Sequence, residues 1–331
     1  MPNTTANVTL RQEIIYFVCF MEGLVQVFGN LLIIVAILKN KTLHCREYCL
    51  PFALATADVI FGWGQLCGSF HRIYLVRLGG NLAGFVTRWH CLATTFNFGV
   101  LFGGLSVAGI LVLISIERCI ACGSVTLYTE LSTKCMGTFC SLGFLSAGAI
   151  STAAYVDSYF SSGQPVYSKI CLLGWGLSVP SYKIWTWYQC LGGLICVLIY
   201  GLAMMLLRRQ KANSNLTEVT RKQLQRQIKV TKTLLIIIGF TLLYTIPFFI
   251  VATTAGLISK KTYGILAPIC AITINLNSAN NIVIYIWRNK VIRATIFQLF
   301  WRKSTSTSVV VDIAGTLKNG TGQCVNPNSN I

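Results

Sequence analysis

Long apolar runs alternate with short polar gaps along almost the whole chain. A helix needs about 20 apolar residues to cross a bilayer. Runs of that size extend from about Ile14 to Leu38, Leu50 to Arg72, Trp89 to Cys122 and Cys135 to Val156. Three more run from about Ile184 to Leu207, Val230 to Leu257 and Tyr263 to Trp287. They predict an all-α membrane protein whose residues 14–287 form a bundle of seven spanning helices. The glycines of the third run and the small residues of the fourth suit close helix packing. Residues 1–13 read as a polar tail. After Trp287 the pattern changes, with Val291, Ile292, Ile296, Leu299 and Phe300 at helical spacing and Lys290, Arg293 and Arg302 between them. Residues 288–302 therefore predict a short amphipathic helix lying on the membrane surface. Residues 303–331, opening on Ser304 to Ser308, read as a disordered tail.

Composition sharpens this picture. The 331 residues are 54% hydrophobic and 11% charged, against roughly 25% charged in ordinary soluble domains. The tails and gaps are too short for a separate enzyme domain. A net charge of +18 raises the question of nucleic acid. The basic residues, however, sit in the gaps between apolar runs and not on a polar amphipathic face. With the N-terminus outside, most of the 27 Lys and Arg residues fall on the cytoplasmic side, as the positive-inside rule requires. The basic stretch from Arg208 to Lys232 reads as topology or as a contact with anionic lipid or a cytoplasmic partner. The expected setting is the plasma membrane, with an outer N-terminus and a cytoplasmic C-terminus. Asn3-Thr4-Thr5 and Asn7-Val8-Thr9 are glycosylation sequons in the outer tail. Most of the 14 cysteines fall inside apolar runs, where thiols act as small hydrophobes. No spacing suggests a zinc site, and no cofactor is expected.

Few ionisable groups interrupt the spans, and each is a functional candidate. Asp58 sits mid-way along the second run, Glu22 lies in the first, and Glu117 and Arg118 adjoin at the end of the third. In the seventh, Asn277, Ser278, Asn281 and Tyr285 fall within an arc of roughly 100°. That stripe must face the bundle interior, where Asp58 and Asn30 are its natural partners. It reads as structural glue between helices or as a hydrated switch or ion site. Glu117 and Arg118 read as a snorkelling pair or as an ionic latch.

These residues also carry a resemblance. Gly29-Asn30, Leu54-Ala55-Thr56-Ala57-Asp58, Ser115-Ile116-Glu117-Arg118-Cys119 and Tyr200 fall in order along the chain. So do Pro247, Asn277-Ser278-Ala279-Asn280-Asn281-Ile282-Val283-Ile284-Tyr285 and Arg293-Ala294-Thr295-Ile296-Phe297. Together they resemble the signatures of the rhodopsin-like (class A) G protein-coupled receptors: the first-helix GN, LAxAD, D/E-R-Y, the fifth-helix tyrosine, the sixth-helix proline, NSxxNPxxY and the surface helix. There are departures. Cys119 replaces the tyrosine of D/E-R-Y, Ile282 the proline of NPxxY and Gly192 the fifth-helix proline, and Tyr244 to Pro247 lacks the tryptophan of CWxP. Such signatures look like a divergent branch similar to the nematode serpentine chemoreceptors.

The resemblance implies an extracellular ligand, an odorant, small molecule or peptide, bound among the outer helix halves. It also implies a helix-six movement at Pro247 that admits a heterotrimeric G protein. Glu117, Arg118, Tyr200, Pro247, Asn281 and Tyr285 would form the activation switch. Asn30, Asp58, Asn277, Ser278 and Asn281 would form the intramembrane polar network. Val107 stands where a sodium-binding serine is common, beside Ser106, so a sodium ion near Asp58 stays an open question. A disulfide is expected between Cys91, at the start of the third run, and Cys171, in the second outer loop; Cys91 lies slightly further from Arg118 than is usual in the family. Ser304 to Ser308 offer phosphorylation sites for arrestin recruitment. No lysine in the seventh run can hold retinal, and no acid from Trp89 to Ile116 can pair with an amine. Glu22, deep in the first run, is the remaining counter-ion candidate. The alternative is a secondary transporter or channel, but such proteins tend to show repeated halves and several midplane ionisable groups. An intramembrane enzyme would need paired acids or a metal set.

Overall fold

The computed structural model describes residues 3–44, 46–77, 84–164, 167–212, 231, 235–236, 239–240, 243, 246–254 and 259–301. Helix α1 spans Asn3–Lys39, α2 Cys49–Arg77, α3 Arg88–Leu92, α4 Thr95–Gly123, α5 Val125–Glu130, α6 Thr133–Phe160, α7 Leu173–Gly176 and α8 Val179–Ala212. Residues 246–253 form α9. Helix α10 follows at Lys260–Arg288 and α11 at Lys290–Trp301. Strands β1, Phe85–Val86, and β2, Tyr167–Ser168, pair antiparallel.

Among the described residues, five helices are long and apolar enough to cross a membrane: Leu10–Lys39, Arg46–Arg77, Thr95–Gly123, Thr133–Phe160 and Val179–Gln210. Helix α10, with 29 residues, also has a span's length and carries the polar stripe. Several stretches of the sixth expected run, and the tail beyond Trp301 with Ser304 to Ser308, lie outside the described residues.

Helix α4 is the central post. It packs against α2, α6 and α8, while α1 packs against α2 and α10. Glycines set the spacing at the α2–α4 contact. A Cβ on Gly64 would meet the Val100 nitrogen at 2.6 Å, and one on Gly103 would meet the Phe61 nitrogen at 2.6 Å. The two backbones touch there, as small residues permit in lipid. The remaining faces are inverted relative to a soluble protein. Phe17, Phe28, Leu145, Leu198 and Met205 point outward, whereas Gln26, Asn30, Asp58, Asn97, Asn275 and Asn281 are buried. Lipid rewards that arrangement, because a polar side chain in hydrocarbon must find a partner inside.

The helices depart from the apolar runs at three boundaries. Helix α1 starts at Asn3, so the segment expected as a tail is helical. Nothing between Pro2 and Gly23 breaks a helix, and extending an existing helix costs little. The glycosylation candidates Asn3 and Asn7 thus fall in its first two turns. The third run is not one helix. It divides at Ala93 and Thr94, where Thr94 is extended and its hydroxyl donates to the Cys91 carbonyl over 2.9 Å. The expected surface helix starts at Lys290, because Asn289 ends α10. Its Oδ1 accepts from the Val291 and Ile292 amides, each at 3.1 Å, and so caps α11. Ile292 and Ile296 of α11 pack on Ile33, Ala36 and Ile37 of α1.

Candidate functional site

At one end of α4, Glu117 and Arg118 are both buried and form a two-pronged ion pair, Nε to Oε2 and Nη2 to Oε1. Bidentate pairs of this kind are directional as well as strong. Arg118 also donates from Nη2 to the Tyr128 hydroxyl over 3.2 Å. Tyr128 belongs to α5, which Ser124 starts by capping the Leu127 amide. Its ring lies between two cations, with the Arg46 guanidinium 4.3 Å and the Arg118 guanidinium 5.7 Å from its centroid. Burial pushes the Tyr128 hydroxyl above its ordinary pKa, against the pull of Arg118, so it stays a neutral acceptor. Arg46 ties the assembly to the next loop by donating to the Leu131 carbonyl over 2.9 Å.

Further into the bundle, Asn281 of α10 donates to Asp58 of α2 over 3.3 Å, with both side chains buried. Asn30 does not complete the expected partnership. Its amide turns back to the Gln26 carbonyl of its own helix, 2.9 Å away. Ser106 likewise donates to the Phe102 carbonyl, one turn back on α4. Asn277 and Ser278 lie on α10, but their side chains are outside the described residues. Tyr200 is fully buried in the core around Leu54, Ile110 and Leu111, and Tyr285 packs against that core. Neither hydroxyl has a hydrogen-bonding partner among the described residues. Both rings sit within electrostatic reach of Arg118. Pro247 lies on α9 and is exposed. Ile282, in place of the expected proline, packs onto Gly29 of α1, where a Cβ would run into its Cδ1. Helix α10 runs unbroken through that position.

Comparisons with known proteins give the family. A family model, the serpentine type 7TM GPCR chemoreceptor Srsx, matches residues 24–300. The chain belongs to this receptor family. It is also similar to Trace amine-associated receptor 6 of Pan troglodytes, 25% identical over 317 residues covering 89% of this chain and 88% of that receptor. Trace amine-associated receptor 9 of Mus musculus is 26% identical over 318 residues, covering 90% and 88%. The protein is thus a G protein-coupled receptor and a multi-pass membrane protein.

At the opposite end of this receptor, Cys91 of α3 and Cys171 form a disulfide with Cα atoms 4.9 Å apart. The break between α3 and α4 lies between Cys91 and Arg118. Cys171 adopts φ 46°, a conformation that costs a non-glycine residue about 1–3 kcal/mol. Its carbonyl is held by two donors, Arg72 Nη2 at 3.1 Å and Asn97 Nδ2 at 3.1 Å. Asn97 also donates to the Cys91 carbonyl over 2.7 Å.

A second polar seam of the receptor was not singled out in the sequence. Gln26 Nε2 of α1 donates to the Asn275 carbonyl of α10 over 2.6 Å. Gln65 Nε2 of α2 donates to Asn275 Oδ1 over 3.1 Å. Uncharged amides scattered over three runs give no motif, although a glutamine inside a span is itself a signal. Tyr128 and Arg46 were equally silent, because both lie in short connections.

Proposed function

We propose that this receptor binds an extracellular ligand and passes the signal to a heterotrimeric G protein by releasing Arg118. The buried Glu117–Arg118 pair, backed by Tyr128, carries this reading. A guanidinium held by a carboxylate and a phenol is withheld from any partner. Outward movement of the helix carrying Pro247 would let Arg118 turn toward Tyr200 and the G protein. The proposal gives the chain seven spans in the plasma membrane, an outer N-terminus glycosylated at Asn3 and Asn7, and a cytoplasmic C-terminus. Helix α11 rests on the inner lipid surface, with Phe297 and Phe300 exposed for that contact. Asp58, Asn281 and Tyr285, with Asn30, Asn277 and Ser278 nearby on their helices, relay the change between the two halves. The tail serines then recruit arrestin when phosphorylated.

Basal nucleotide exchange on a co-purified G protein, at matched surface levels, tests the latch. Glu117→Gln should raise ligand-independent exchange, on the scale of about 1–3 kcal/mol typical of coupling between sites. Arg118→Ala should lower exchange while surface expression persists. Wild-type exchange from both variants would overturn the mechanism.

A further inference from the structure

Arg72 of α2 lies at the disulfide end of the bundle and keeps only 8% of its surface exposed. Its Nε donates to the Ile170 carbonyl over 3.2 Å, and its Nη2 to the Cys171 carbonyl over 3.1 Å. These two bonds fix one edge of the guanidinium along the main chain that leads into the disulfide. The group also stands 5.4 Å over the Phe96 ring of α4. Gly68, one turn back on α2, leaves room for Nη1, which a Cβ there would meet at 3.2 Å. Nη1 makes no hydrogen bond to the described residues, and it keeps contact with solvent.

The chain supplies no carboxylate to this cation. Nine acidic residues occur in it. Glu13 pairs with Arg77, Glu22 lies beside Asn275, Asp58 meets Asn281, Glu117 holds Arg118, and Asp157 accepts from Ser178 and Ser181. The other four, Glu47, Glu130, Glu218 and Asp312, belong to connections and a tail on the Arg118 side of the membrane in the proposed topology. The electrostatic neighbours of Arg72 are Tyr16 and Cys19 of α1, neither a carboxylate nor a second cation. Carbonyl dipoles carry no net charge, so a cation this buried stays costly until an anion joins it.

We infer that Arg72 anchors the carboxylate of a small organic acid, which enters from the disulfide end beside α1, α2 and the segment before Cys171. A guanidinium has five N–H donors, and the loop carbonyls use two. The Nη1–Nη2 edge remains, with the parallel geometry that takes both oxygens of a carboxylate. One positive charge without a second cation matches a monoanion and not a phosphate dianion. The inference rests on the reading of the chain as a ligand-activated receptor, and it names that ligand's chemical class.

The full-length receptor in lipid nanodiscs allows the test. Its thermal unfolding midpoint is measured against phenylacetate and butyrate, and against the matched amides phenylacetamide and butyramide. Sodium chloride and sodium phosphate at equal ionic strength serve as inorganic controls. A bound ligand raises the midpoint by mass action. A carboxylate should raise it in a dose-dependent way and its amide should not, a comparison that needs no variant. In Arg72→Lys, which keeps the charge and loses the fork, the effective dose should rise by about tenfold or more. Gly68→Ala puts a methyl against Nη1 without removing either loop bond, and it should raise the dose in the same direction. No stabilisation by either acid, equal stabilisation by acid and amide, or an unchanged dose in both variants would overturn the site. An Arg72 that only pins the loop would lower the midpoint of Arg72→Lys without any acid dependence, which also overturns it. Stabilisation by phosphate alone, dependent on Arg72, would overturn it in favour of an inorganic anion. Nucleotide exchange separates the two readings. Carboxylate binding through Arg72 without exchange leaves the site standing and removes the receptor reading of it. Exchange driven by another compound class, with no carboxylate binding, does the reverse.

Discussion

Arg118 of α4 donates from Nη2 to the hydroxyl of Tyr128, ten residues further along, while Nε and the same Nη2 grip Glu117. Two side chains, one on each of two helices, thus hold one guanidinium through three hydrogen bonds. Tyr128→Phe removes an acceptor from a charged donor, worth about 1.5–3 kcal/mol when buried. Basal nucleotide exchange should rise, by less than in Glu117→Gln, because the carboxylate remains. Unchanged exchange in Tyr128→Phe would mean that the phenol only packs.

The disulfide predicts a non-additive pair. Cys91→Ser or Cys171→Ser should each lower stability by about 2–5 kcal/mol, read as a fall in the thermal midpoint. The double variant should be no worse than either single one, since all three remove the same bond. Mass spectrometry of non-reduced peptides should recover the linked pair directly.

Asp58 and Asn281 predict a reciprocal swap. Asn281→Asp places two carboxylates in contact and should destabilise the receptor by about 1–3 kcal/mol or force one of them to take a proton. Adding Asp58→Asn restores one acid and one amide and should recover most of the midpoint. Failure of the double variant to recover would show that the pair is not a direct one.

The α2–α4 contact predicts position-dependent intolerance. Gly103→Ala puts a methyl against the Phe61 backbone, and overpacking of this kind costs about 1–3 kcal/mol. Gly201→Ala, on α8, meets nothing within 4 Å and should leave folding unchanged. Surface expression of the two variants, side by side, separates crowding from a general effect of losing glycine.

The sequence by itself determined the solvent and the family. A chain with this many long apolar runs can satisfy its backbone in lipid only as helices. The spacing of Asn30, Asp58, Arg118, Tyr200, Asn281 and Tyr285 along those helices carried the receptor resemblance. The adjacency of Glu117 and Arg118 was legible because the pair is consecutive in the chain. What lies between helices was not legible. The break at Thr94 sits between Cys91, joined to Cys171, and Asn97, whose amide reaches back to Cys91, and the Cys171 partner comes from a distant part of the chain. Asn30 looked like a partner for Asp58, yet it bonds to Gln26 on its own helix, because a nearby main-chain carbonyl competes with a distant carboxylate. Tyr128 meets Arg118 only once α5 folds under α4. Glu22 reads in sequence as one acid in an apolar run. What surrounds it is a tertiary fact, since the neighbours that pack around the side chain come from other helices.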